Sequence, residues 1–87
     1  MPEDIAITSE IKVTLALLKH GNTIRSLGLE DNALPIMIKR AGKYIIARGA
    51  TELQEGDKLL LIAKKEDDLN TLCSNLDIQN CEVYRDE

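Results

Sequence analysis

The sequence predicts a small α+β fold, a mixed β-sheet in the order β-α-β-β-β-α with its helices packed on the sheet. Three observations carry this. Glycines fall where a chain must reverse, at Gly42, Gly49 and Gly56, with short β-rich runs between them. The apolar run Leu59-Leu60-Leu61-Ile62-Ala63 follows the Glu55-Gly56-Asp57 turn and reads as a buried strand. After it Leu69, Leu72, Cys73 and Leu76 recur at helical spacing.

In order along the chain, Ile11, Val13, Leu15 and Leu17 alternate with Lys12, Thr14 and Ala16, so residues 10–18 read as a first strand with one buried face. His20-Gly21-Asn22 breaks that pattern, and Asn22 is suited to cap a short helix over residues 23–27, stopped by Gly28. Ile24 and Leu27 turn one face of that helix inward. After the polar turn Glu30-Asp31-Asn32, Leu34, Ile36 and Ile38 alternate with Pro35, Met37 and Lys39 in a second strand. Pro35 donates no ladder hydrogen bond, which requires an edge, a bulge or a strand beginning there. Ala41-Gly42-Lys43 reads as a tight hairpin loop into a third strand, residues 44–47. Leu53 plugs the core beneath the connection to a fourth strand, residues 58–63. A helix over residues 66–76 opens on Glu66, Asp67 and Asp68, where the helix dipole favours negative charge. The last residues form a short strand around 81–84 or a tail.

Size bounds what this fold achieves alone. At 87 residues the chain is one domain whose core supplies marginal stability. A sheet with helices on one face leaves the other needing cover, and a two-fold partner supplies it. The formal net charge is −4 and the two tyrosines, Tyr44 and Tyr84, are the only aromatics. Nucleic-acid binding needs clustered cations and stacking platforms, and neither is present. No apolar run approaches the roughly 20 residues that cross a bilayer, and the acidic opening Met1-Pro2-Glu3-Asp4 is unlike a signal peptide. The chain reads as soluble, compatible with a cytosolic piece of a longer membrane protein. Cys73 and Cys81 lack metal-ligand spacing and support neither a zinc site nor a disulfide framework, so a reducing cytosol is the simpler expectation.

The ordered residues Gly21, Ile38-Lys39-Arg40, Gly42, Gly49, Thr51, Leu53, Gly56-Asp57 and Leu59 resemble the TrkA C-terminal domain family, also called RCK_C. That family runs from a Gly and a short helical turn to Ile-x-Arg, Gly, and then Pro-x-Gly-x-Thr-x-Leu-x-x-Gly-Asp-x-Leu. The resemblance covers residues 10–76. Ala47 stands where the family usually has Pro, which removes a backbone constraint but no ligand chemistry. Residues 9–18, Leu18-Lys19-His20-Gly21-Asn22-Thr23 and Leu27-Gly28-Leu29 look most like cytosolic tails of bacterial potassium/proton antiporters of the monovalent cation/proton type.

The resemblance implies a regulatory, ligand-sensing domain that forms a homodimer on the cytoplasmic side of a transmembrane transporter and in some members answers a nucleotide such as cyclic di-AMP. It divides the chain into a lead over residues 1–8, a regulatory domain over 9–77, and a tail or extra strand over 78–87. The expected ligand-binding residues are Ile38, Lys39 and Arg40. No catalytic residue, metal or other cofactor is expected. A purely structural dimerisation domain is the alternative, and a small stand-alone enzyme a third reading for which no constellation exists.

The candidate residues each carry two readings. Arg40, two residues past an inward Ile38, either forks onto a phosphate or partner carboxylate or pairs with a nearby acid such as Asp57. Arg25, Lys39, Lys43 and Arg48 either join it in a positive zone or form an ordinary solvated surface. His20 is either a pH-sensitive group or an exposed loop residue. Asp57 after Gly56 most often bonds local backbone N–H groups, and no partner acid supports a general-base role. Cys73 reads as core, with Cys81 undecided. Ser26 and Ser74 have no histidine to activate them.

Overall fold

The computed structural model describes residues 7–78 and the backbone of residues 82–85. Its elements are β1 (Ile7–Lys12), α1 (Leu15–Leu18), a 3-10 turn (Arg25–Leu27), β2 (Leu34–Arg40), β3 (Lys43–Ile46), β4 (Lys58–Ala63), α2 (Glu66–Asn75) and β5 (Glu82–Arg85). The five strands form one antiparallel sheet in the order β3-β2-β4-β1-β5. The α+β class is as the sequence predicts, but the sheet is antiparallel throughout instead of mixed, the helix expected over residues 23–27 is the 3-10 turn, and β5 beside β1 takes the strand alternative at the end of the chain.

The first strand is shorter than its alternation predicts. Pairing with β4 ends at Lys12, and Leu15 to Leu18 are helical. Thr14 explains the switch, because its Oγ1 accepts a hydrogen bond from the Leu17 N–H at 3.2 Å and caps the turn. Leu17 stays buried while Leu15 turns out to solvent. The next turn is capped by Thr23 instead of Asn22: Ser26 N–H donates to Thr23 Oγ1, and Thr23 N–H donates to Ser26 Oγ. Gly21 is required there, since a Cβ on it would stand 2.2 Å from Ser26 Oγ.

Pro35 sits where the β2–β4 register shifts, between Pro35 and Met37, so the bulge absorbs its missing donor. The β2–β3 hairpin closes through Ala41-Gly42, both at positive φ, 51° and 78°. That is the backbone sense of a type I′ turn, and Ala41 adopts it without being glycine. Leu53 is buried, held by its N–H to Asn22 O at 2.7 Å, as the loop over residues 49–53 runs against residues 22–25.

The core lies on one face of the sheet. Ile11, Leu59, Leu61 and Ile38 point into it and meet Leu17, Leu27, Leu69 and Leu72. Cys73 belongs to this core, as expected, yet is disulfide-bonded, which corrects the expectation of a reduced thiol. Cys81, left undecided from the sequence, lies outside the described residues.

The other face has no cover among the described elements. Register places its side chains in rows across the strands: Tyr44, Lys39, Lys58 and Lys12 in one, and Ile46, Met37, Leu60 and Glu10 in the next. Tyr44 and Ile46 are 67% and 64% exposed. No described helix is long and apolar enough to cross a membrane.

Candidate functional site

The expected segment Ile38-Lys39-Arg40 closes β2, and the pleat sends its side chains to different places. Ile38 is fully buried in the core, so its side chain is a packing element. Lys39 points to the open face, where its ammonium lies 6.0 Å from the Tyr44 ring centre, at the limit of a cation–π contact. Arg40 turns to the rim and meets Asp57.

That pair is bidentate. Arg40 Nε donates to Asp57 Oδ1 at 2.9 Å and Nη2 donates to Oδ2 at 2.7 Å. Nη2 also donates to the Glu52 carbonyl at 3.0 Å, and Asp57 Oδ2 accepts the Gln54 N–H at 2.9 Å. Meanwhile the Asp57 carbonyl accepts the Val13 N–H at 2.8 Å. Asp57 therefore ties the end of β2 and the turn before β4 through its carboxylate, and the end of β1 through its backbone carbonyl. Asp57 is 2% exposed and the Arg40 side chain 28%. Hydrogen bonds from Arg40 hold the Asp57 carboxyl below the usual carboxylate range against the opposing effect of burial, helped by the Gln54 N–H and the guanidinium charge. The same hydrogen bonds raise Arg40.

Of the two readings of Arg40, pairing with Asp57 is what the geometry displays. The guanidinium carries five N–H donors, and the three bonds named leave those of Nη1 without a partner among the described residues. Asp57 acts as a turn residue, accepting a local backbone N–H. Arg25 stands apart from the hairpin cations, its guanidinium lying against Gly49. His20 Nε2 lies 3.4 Å from Asp77 Oδ2, a partner 57 positions along that no local pattern signals.

Sequence reasoning passes over two further features. One is the alignment of Lys12 and Lys58 beside Lys39, invisible without the register. The other is a groove of about 620 Å³ at the far end of β2, floored by Leu34, Pro35 and Ile62 and rimmed by Glu30, Asp31 and Asp68. Among the described residues no cluster of His, Cys, Asp or Glu could hold a metal ion.

A one-layer sheet backed by helices, with a charge-locked corner and one face left open by the described elements, defines a small α+β module. The family model described as the TrkA-C domain matches residues 18–77, most of the chain. The chain belongs to the TrkA-C domain family, whose members are regulatory domains of ion-transport proteins. No curated protein and no solved structure matches it.

Proposed function

We propose that residues 9–77 form the cytosolic regulatory domain of a cation/proton antiporter or potassium transport protein, acting as a two-fold dimer whose arrangement a small anionic nucleotide shifts. Cyclic di-AMP is the first candidate ligand, placed across the dimer seam near Ile38, Lys39 and Arg40. The observation that carries the reading is the open sheet face: a second copy laid on it would cover the exposed Ile46 and the half-buried Met37 and Leu60. The ligand moves the equilibrium only by its difference in affinity for the two arrangements, and the attached membrane part reads the result.

A purely structural dimerisation domain is the second reading. It is favoured by Arg40 being engaged by Asp57 and by Ile38 being buried. Calorimetric titration with cyclic di-AMP, AMP, ATP and NADH separates the two. Binding supports sensing, whereas silence from every nucleotide at about 1 mM, the weakest affinity such a signal could use, leaves the structural role. Sedimentation over a concentration series tests the dimer itself. A monomer persisting at about 100 μM removes both dimeric readings, because so small a core needs help.

A further inference from the structure

We infer that Lys12, Lys58 and Lys39 form a phosphate-binding row on the open sheet face, suited to a ligand that carries two or more phosphate groups and a flat apolar part. The register sets Lys12 opposite Lys58 on β1 and β4, and Lys58 opposite Lys39 on β4 and β2. Directly opposed like charges destabilise a sheet, and here three adjacent strands repeat the cost in one line. All three lysines are exposed. Glu10 approaches Lys58 only to 3.9 Å, and among the described residues neither Lys12 nor Lys39 forms an ion pair.

Strand spacing of about 4.8 Å makes the row about 10 Å long at the backbone, and the flexible four-carbon stems let the three ammonium groups converge on a polyphosphate or a cyclic phosphodiester. Tyr44 extends the same row on β3 and offers a ring face, while Ile46, Met37 and Leu60 supply an apolar row alongside. The lysine backbones are held rigid because their neighbours Ile11, Leu59 and Ile38 are buried in the core. A multivalent anion turns the repulsion into attraction without rearranging the sheet. In an assembly through this face it would also neutralise two facing rows.

This deepens the ligand-sensing reading and rests on it for a biological role, while the binding chemistry rests on the register. The phosphates could belong to a soluble nucleotide or to lipid headgroups.

The test uses the 87-residue chain at low salt. Inorganic tripolyphosphate is titrated while backbone amide shifts are followed by NMR, and vesicles with and without phosphatidylglycerol are tested by co-sedimentation. Shifts centred on residues 12, 39, 44 and 58 are expected, with binding weakened at least about tenfold in Lys39→Gln/Lys58→Gln and unchanged in Lys64→Gln/Lys65→Gln. Preserved amide dispersion confirms that the variants fold. Binding to anionic vesicles alone, lost in the same double variant, assigns the row to lipid phosphate. No binding in either arm, or equal loss in the control variant, overturns the inference. Sedimentation without anion keeps the two proposals apart: a dimer that ignores tripolyphosphate retains the dimer and removes the row, while an anion-binding monomer does the reverse.

Discussion

Arg40 and Asp57 are unequal partners, because Asp57 is 2% exposed and the Arg40 side chain 28%. Arg40→Ala strands a buried carboxylate that must either stay charged or take up a proton. Protonating a group of ordinary pKa about 3.9 at pH 7 costs about 4 kcal/mol, so the loss of stability is expected at about 3–4 kcal/mol. Asp57→Asn keeps an oxygen for the Gln54 N–H and leaves Arg40 free to reach water, so about 1–2 kcal/mol is expected. Urea unfolding of both variants checks the order, and the reverse order would mean that the guanidinium is the less solvated partner. The pH dependence follows from the same pair. Because the folded pKa of Asp57 is depressed, its stabilisation is complete above the unfolded value of about 3.9 and is lost as pH falls through the folded value. The stability gap between the native chain and Asp57→Asn should therefore be constant from pH 7 to about 5 and shrink below about 4. A gap that persists at pH 2 would place the stabilisation elsewhere.

Each element displays a local choice overruled or exploited by its neighbours. Ala41 holds φ of 51° in the hairpin loop, a conformation that costs an L-residue about 1–2 kcal/mol. Ala41→Asn, giving the Asn-Gly pair that such turns prefer, should raise stability by about 0.5–1 kcal/mol, measured by thermal or urea unfolding. A loss would show that the methyl group makes a compensating contact. The lysine row makes a second element-scale prediction. Lys12→Gln removes one opposed like-charge pair and should stabilise by about 0.2–1 kcal/mol at low salt. The gain should vanish near 1 M salt, where screening is nearly complete, and a gain independent of salt would point to propensity instead of charge.

At the scale of the whole molecule, the described elements cover the sheet on one side only. If a second copy covers the open face, Ile46→Glu should abolish the dimer seen by sedimentation while leaving the monomer folded, since Ile46 is 64% exposed. Unfolding of that variant would show that Ile46 supports the monomer. The organisation of this molecule was largely legible from local signals. Gly28 and the Ala41-Gly42 turn punctuate the chain, Lys58 to Ala63 is an apolar run, and Leu69, Leu72 and Cys73 mark a helix face. Alternation misled at Leu15 and Leu17, because a period of two says nothing of where a partner strand ends, and Thr14 was free to start a helix.

Sequence alone determined the class of fold, the order of its elements, the family, and Asp57 as a candidate partner for Arg40, because glycine corners and apolar periods are local properties of the chain. Tertiary structure decided that Arg40 and Asp57 do pair, that Thr14 and Thr23 cap the turns, that His20 meets Asp77, and that three lysines distant in sequence share one row. The Arg40–Asp57 pair and the lysine row depend on strand register, and register is settled only when whole strands compete for the same buried face.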